Sequence, residues 1–283
     1  MKPLLKPILY LTAFLIFAHA NGINPYSNTF TNGIVKCSEK DALVNSKMKT
    51  IGIIGGVSWV SSMDYYKLIN EMMRDRFGDS YSGKILMYSI PFHEFSEQER
   101  LAEQGDWSVL IETMIDAAKR LESGGADFII IASNTMNSTT EIIEKNVKIP
   151  VLHIADATGK KIVEQGLKKV ALLGTKFTME NNFYKDRLSN KYGLKVVVPN
   201  PDERDYINKV IFDELCNNKF YSKSKEQYQK IIKRLVEEEG VEGVILGCTE
   251  IPLLVNEKDI SVPVFKTNEI HCEAAVKFSI DSK

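Results

Sequence analysis

Two segments of this chain share one plan: Gly125-Ala126-Asp127-Phe128-Ile129-Ile130-Ile131-Ala132-Ser133-Asn134-Thr135 and Gly240-Val241-Glu242-Gly243-Val244-Ile245-Leu246-Gly247-Cys248-Thr249-Glu250. Each opens on a glycine stop, runs through an uninterrupted apolar stretch and ends on a small polar or nucleophilic side chain. Runs of that kind mark parallel strands covered on both faces. The two reactive positions, 133 and 248, lie 115 residues apart, and the glycine turns near Gly55 and Gly174 are separated by a similar distance. Internal duplication is the economical reading. The fold class that follows is α/β: two pseudo-symmetric lobes, each a mostly parallel sheet flanked by helices, with the active site between them and one reactive group from each.

The intervening chain supports that plan. Thr50–Ile54 reads as a strand ended by Gly55-Gly56, followed by a helix from Ser61 to Arg76 with Tyr65, Ile69, Met72 and Met73 on its apolar side. Lys84–Ile90 is the second strand and Asp106–Glu122 a helix stopped by Gly124-Gly125. Ser138-Thr139-Thr140-Glu141 has the pattern of a capping box, Ile149–Ile154 reads as a strand and Lys160–Gly166 as a helix. The second lobe repeats the scheme: strands at Val170–Leu173 and Val196–Pro199, helices at Glu180–Tyr192, Asp202–Asn217 and Ser224–Glu239, then the strand ending at Cys248. Strands alternating with helices predict right-handed crossovers. Val262–Phe265 and the helix Ile270–Ile280 are expected to return to the first lobe, giving lobes of 48–153 plus 262–283 and 154–261.

Residues 1–20 differ from the rest. Lys2 and Lys6 precede an uncharged run from Pro7 to Ala18, and Ala18-His19-Ala20 offers small residues where a signal peptidase reads, so export to the periplasm with cleavage near Ala20 is expected. Residues 21–47 are rich in Asn, Ser, Thr and Gly and read as a flexible leader. A start at Met48, which leads directly into the first strand, would instead make the protein cytoplasmic. The apolar run is shorter than the roughly 20 residues a bilayer span needs, so no stable membrane anchor is expected. The formal net charge of −1, with both signs interspersed, excludes the basic field that nucleic-acid binding requires. Cys37, Cys216, Cys248 and Cys272 match no metal-binding spacing, so no metal site is implied, and Cys216 and Cys272 read as buried filler.

The remaining motifs carry the chemistry. Gly52-Ile53-Ile54-Gly55-Gly56 is not a dinucleotide fingerprint, but the backbone N–H groups from Val57 to Ser62 can hold a small carboxylate. Cys248 stands at a strand end just before a helix start containing Pro252, a position expected to lower the thiol pKa and give a thiolate base. Ser133-Asn134-Thr135 supplies two hydroxyls and an amide at the same point of the other lobe, suited to a carboxylate or ammonium group, and equally a capping turn toward Ser138.

Lys49-Thr50-Ile51-Gly52-Ile53-Ile54-Gly55-Gly56-Val57-Ser58-Trp59, Ser133-Asn134-Thr135-Met136, His153-Ile154-Ala155-Asp156-Ala157-Thr158, Leu173-Gly174-Thr175-Lys176-Phe177-Thr178-Met179 and Leu246-Gly247-Cys248-Thr249-Glu250, in that order, resemble the pyridoxal-phosphate-independent aspartate/glutamate racemases, in the aspartate/glutamate or broad-specificity branch. The likeness runs from about Met48 to the C-terminus. It implies an amino acid held between two lobes, a base on each face of its α-carbon, no cofactor or metal, and a homodimer. Carried over, the bases are Ser133 and Cys248; Asn134, Thr135 and Thr249 hold the carboxylate and ammonium groups; Ser58 and Thr178 are candidates for the substrate side chain. Many members have Cys where this chain has Ser133. A hydroxyl is a far weaker base than a thiolate, so abstraction by Cys248 from one enantiomer is expected to be efficient and the reverse, through Ser133, slow. Glu250 stands where the family's cell-wall glutamate racemases carry His, and is expected to polarise the thiol or take the ammonium. The segment Glu94–Gly105 is expected to cover the site. The resulting expectation is an aspartate/glutamate racemase, with broader amino acids open. Two rivals stand beside it: a single-thiol decarboxylase of substituted malonates, which needs an apolar aryl pocket, and an amino-acid-binding protein without turnover.

Overall fold

The computed structural model describes residues 48–281. The secretory segment expected at 1–20, the leader at 21–47 and Cys37 lie outside the described residues. Among the described residues, no helix is long and apolar enough to cross a membrane.

Two parallel sheets organise the chain. The first has the order β2-β1-β3, from β1 (Ile51–Gly55), β2 (Ile85–Ser89) and β3 (Phe128–Ile131), with Ile51 opposite both Ile85 and Phe128. Every residue of β1 and β3 is buried, whereas the edge strand β2 is partly exposed, which is why the first two read as unbroken apolar runs. The second sheet has the order β5-β4-β6-β7, from β4 (Lys169–Gly174), β5 (Lys195–Val197), β6 (Gly243–Gly247) and β7 (Val264–Lys266). The duplication expected from the sequence is visible in the pairing: β1 and β4 are flanked on one side by the next strand in the chain and on the other by β3 or β6, the strands that lead to Ser133 and Cys248.

Close packing at the strand ends demands glycine twice. Gly56, at φ +86°, presses against the backbone of Ile90, which a Cβ would strike. At Gly174 a Cβ would stand 2.7 Å from the carbonyl oxygen of Gly247, so β4 and β6 meet with no side chain between them just before Cys248.

Helices cover both sheets. In the first lobe these are α1 (Trp59–Phe77), α2 (Phe92–Glu103), α3 (Ser108–Ser123) and the short α4 (Thr140–Glu144). Leu110, Met114, Ala117 and Leu121 of α3 pack with Ile54, Ile129 and Ile131 in one core. Helix α5 (Ile154–Glu164) leads into β4; α6 (Lys176–Glu180), α7 (Asn182–Tyr192), α8 (Pro201–Asp213), α9 (Ser222–Glu239) and the one-turn α10 (Ile251–Leu254) follow, and α11 (Thr267–Ile280) closes the chain.

Three expectations are corrected. The strand near Val262–Phe265 does not return to the first lobe: β7 pairs with β6, and only α11 reaches back, packing on α1 and α5. Lys49 N–H donates to Ser279 O at 2.8 Å, so the first described residues are held by that helix. Ile149–Ile154 forms no full strand, because only Val151 bridges Ile129 before His153 Nδ1 accepts from Ala155 N–H at 3.1 Å and starts α5. Ser138 makes no capping box: it lies inside a 3₁₀ turn, Thr135–Thr139, its buried Oγ is unpartnered, and α4 begins without a side-chain cap.

Candidate active site

The chain leaves β3 through Ala132 to Ser133 and turns at once into the 3₁₀ segment Thr135–Thr139. Three contacts hold that turn. Ser61 Oγ donates to Ala132 O at 2.9 Å, Asn137 Nδ2 to Ser133 O at 2.6 Å, and Ile154 N–H to Asn137 Oδ1 at 3.0 Å. Ser133 Oγ, in turn, accepts from Met136 N–H at 3.3 Å. On the other side, β6 ends at Gly247 and delivers Cys248, Thr249 and Glu250 ahead of α10.

These ends converge. A cavity of about 60 Å³ is lined by Ser133, Asn134 and Thr135 from the first lobe and by Gly247, Cys248, Thr249 and Glu250 from the second. At roughly 10–15 Å³ per water centre the space accommodates a few waters or a small metabolite, not a nucleotide. Two hydrogen-bonded bridges fix the lobes around it. Asn134 Nδ2 donates to Thr267 Oγ1 at 2.9 Å, and Thr267 donates to Leu246 O at 2.9 Å, tying the Ser133 turn to the strand that carries Cys248. Thr135, Thr175 and Thr178 form a triangle of hydroxyls with sides of 3.0–3.1 Å.

The thiol sits in an acidic corner. Cys248 Sγ–H donates to Glu250 Oε2 at 3.1 Å and Thr249 Oγ1 to the same oxygen at 2.7 Å. Burial, then the adjacent Glu250 carboxylate and Cys216, push the Cys248 thiol well above its ordinary pKa. This reverses the expectation that the following helix lowers it: α10 has only four residues and weak dipolar reach, whereas the carboxylate is in direct contact. Glu250 Oε1 and Asn134 Oδ1 are buried without partners, two acceptors left for a donor that the protein does not supply.

Most expected site residues meet here, with one exception. Ser58 lines the cavity while capping α1, its Oγ accepting from Ser61 N–H at 3.4 Å. Thr178 is fully buried and does not line it; Thr175, three residues earlier, presents its hydroxyl instead. Sequence reasoning missed the wall formed by Phe92 and Glu99 of α2, Ile211 and Phe212 of α8, and Cys216. Only the cover expected at Glu94–Gly105 pointed toward it. Cys216, read as filler, faces the cavity, its thiol pushed up to about 12 by burial with Glu250 and Glu99 adding. Cys272 is buried on α11 as expected. Among the described residues, no cluster of three His, Cys, Asp or Glu side chains converges as a metal cage requires.

Comparison with known proteins agrees with this geometry. The Asp/Glu/hydantoin racemase family model matches residues 54–275. A proposed Asp/Glu racemase from Yersinia pestis superposes with a TM-score of 0.76 at 43% identity over 83% of this chain and 100% of that one. An aspartate racemase homologue from Pyrococcus horikoshii gives 0.73 at 40% identity, again over 83% and 100%. The broad specificity amino-acid racemase RacX of Bacillus subtilis is 22% identical over 231 residues, 80% of this chain and 96% of that protein. The chain therefore belongs to the Asp/Glu/hydantoin racemase family, a family of pyridoxal-phosphate-independent isomerases.

Proposed function

We propose that the protein racemises free α-amino acids by two-sided proton transfer, with Cys248 as the base on one face of the α-carbon and Ser133 as the proton relay on the other. The observation that carries this reading is the convergence of the two strand ends, from equivalent positions in two sheets, on one small cavity. The family's named substrates, aspartate and glutamate, and the broader range named for RacX both fall within it.

The resting thiol needs a proton acceptor, and Glu250 Oε2 already accepts its S–H. Movement of that proton onto Oε2 leaves a thiolate, which takes the Cα proton; the carbanion is reprotonated from the Ser133 side by the hydroxyl or a water it orients. The unpartnered Glu250 Oε1 and Asn134 Oδ1 accept the substrate ammonium, and the hydroxyls of Thr135, Thr175 and Thr249 receive its carboxylate. Glu250 Oε1 remains an acceptor after Oε2 is protonated, so ammonium binding and thiol activation coexist.

The Ser/Cys pairing makes the reaction asymmetric in a defined way. The two enantiomers are equal in free energy, so kcat/KM must be the same in both directions. The asymmetry appears instead as fast exchange of the α-proton with retention in the enantiomer that faces Cys248, ahead of inversion. A malonate decarboxylase would find an apolar wall in Phe92, Ile211 and Phe212, but it fits less well because the unpartnered acceptors Glu250 Oε1 and Asn134 Oδ1 suit an ammonium group that a malonate lacks.

The test is chiral chromatography of L- and D-amino acids incubated with residues 48–283, alongside Cys248→Ala and Ser133→Ala. Inversion lost in both variants supports the assignment. Inversion that persists in Cys248→Ala defeats it, and binding without inversion in the wild type would leave the amino-acid-binding reading.

A further inference from the structure

A second cavity, of about 520 Å³, opens beside the 3₁₀ turn that follows Ser133 and shares no lining residue with the catalytic one. The turn and α4 supply Asn137, Ser138, Thr140 and Glu141, and α7 supplies Phe183, Asp186, Arg187 and Lys191, whose three- and four-residue spacing puts them on one helix face. His153 completes the lining.

The inner part of this cavity is short of acceptors. The hydroxyls of Ser138 and Thr140 are buried without partners, and Thr140 as a whole is only 1% exposed. His153, 5% exposed, accepts from Ala155 N–H through Nδ1, so the proton of its neutral ring sits on Nε2, the one donor the ring has. Three uncharged donors therefore call for an acceptor. Arg187 and Lys191 are not free charges here, because Asp156 holds them at 2.8 and 2.7 Å. Glu141 and Asp186 are exposed, and they mark the solvent side.

An apolar extension of about 340 Å³ adjoins this cavity, with Ser138 and Phe183 lining both. In it Trp107 of the first lobe meets Phe177 at 5.0 Å between ring centres, and Phe177 meets Phe183 at 5.7 Å. All three rings are half-buried, so each keeps surface for a ligand.

We infer that this cleft is a second ligand site, selective for free α-amino acids with a large apolar side chain, of the phenylalanine type. Ser138, Thr140 and His153 receive the carboxylate, Glu141 and Asp186 draw the ammonium outward, and the cluster of Trp107, Phe177 and Phe183 takes the side chain. The catalytic cavity does not compete for such a ligand: its volume of about 60 Å³ is well below the roughly 150 Å³ of a void that holds a benzene ring. Occupancy reaches the chemistry through Asn137, which donates to Ser133 O at 2.6 Å and accepts from Ile154 N–H at 3.0 Å. A ligand that draws on Ser138 and Thr140 moves the turn that holds Ser133. That coupling, unlike the site itself, rests on the racemase reading.

Isothermal titration calorimetry on the whole chain reads the site without turnover. The probes are L-phenylalanine, phenethylamine, which lacks the carboxylate, and 3-phenylpropionate, which lacks the ammonium. Wild type, Cys248→Ala, Thr140→Val and Ser138→Ala are compared after circular dichroism has established that each is folded. L-Phenylalanine is expected to bind once per chain, equally in Cys248→Ala, and about fivefold more weakly in each hydroxyl variant. Both fragments bind at least about tenfold more weakly than the amino acid, and excess glutamate does not displace it. Absence of binding, displacement by glutamate, or affinity unchanged in both hydroxyl variants overturns the site. So does a dimer that Phe183→Glu splits, since a second copy of the chain would then cover the cleft. For the coupling, saturating L-phenylalanine changes the ratio of glutamate inversion to α-proton exchange by about threefold or more, and an unchanged ratio overturns it. Exchange with no amino acid at all overturns the racemase reading and the coupling with it, while the calorimetry still decides the site.

Discussion

Cys248 Sγ donates its proton to Glu250 Oε2 at 3.1 Å, and that carboxylate is also among the groups that hold the thiol in its protonated form. One residue thus opposes the thiolate electrostatically and offers the acceptor through which it forms. The two effects separate on mutation.

Replacing Glu250 by Gln removes the negative charge and the basic oxygen that can take the proton, leaving an amide that can still accept a hydrogen bond. The Cys248 pKa falls, because a raising influence is gone, and alkylation by iodoacetamide then becomes faster at neutral pH than in the wild type. Turnover moves the opposite way, dropping about 10²–10⁴-fold as proton transfer loses its partner. Slower alkylation would show that the carboxylate does not hold the thiol protonated, and unchanged turnover would show that it is not the proton acceptor.

Ser133→Cys installs a second thiol at the end of β3. Inversion should accelerate about tenfold or more relative to α-proton exchange with retention, because a thiolate is the stronger base. Stereochemically resolved NMR in D₂O reads both rates on one sample. An unchanged ratio would place the second proton donor somewhere other than residue 133.

Thr267→Val keeps shape and deletes a hydroxyl that serves both lobes. It leaves Leu246 O without its side-chain donor and Asn134 Nδ2 without its acceptor, both in buried surroundings. Each group stranded in that way costs about 1–3 kcal/mol, so urea unfolding should show a loss of about 2–4 kcal/mol together with a raised KM. A loss below about 0.5 kcal/mol, the usual range for an inconsequential surface change, would mean the bridge is not a structural tie.

His271 gives the fold a predictable sensitivity to acid. Its Nε2–H donates to Leu152 O at 2.8 Å and its Nδ1 accepts from Tyr65 O–H at 3.0 Å, so the ring is neutral where α11 meets α1. Burial lowers its pKa from 6.5 to about 4, and burial followed by Arg187 lowers that of His153 to about 3. Below pH 6.5 the unfolded chain binds protons that the folded one refuses. Stability present above 6.5 is therefore lost as pH falls toward 4, at up to about 1.4 kcal/mol per pH unit for each ring. Denaturant titrations between pH 7 and 4.5 should show a shallower slope in His271→Gln than in the wild type, and identical slopes would contradict the assignment.

Much of this was legible in the sequence because it depends on local signals. The unbroken runs at Phe128–Ile131 and Gly243–Gly247 could only be doubly covered strands, and strand ends carrying Ser133 and Cys248 at equivalent points implied one shared site. Other features depended on contacts that no local pattern encodes. The thiol's environment was misjudged because the side chain of Glu250, two residues away, outweighs a one-turn helix. Thr178 and Thr175 have the same chemistry and neighbouring positions, and only the direction of α6 decides which hydroxyl faces the cavity. Phe92, Glu99, Ile211, Phe212 and Cys216 are assembled from distant helices by the crossovers, with no periodicity to announce a shared wall.

The most direct measurement of the central claim is α-proton exchange in D₂O, followed by NMR for both enantiomers of aspartate and glutamate, with Cys248→Ala run beside the wild type. The account predicts that one enantiomer loses its α-proton faster than it inverts, that the other exchanges no faster than inversion allows, and that both processes vanish in the variant. Exchange that survives in Cys248→Ala, or that proceeds equally from both enantiomers ahead of inversion, would contradict it.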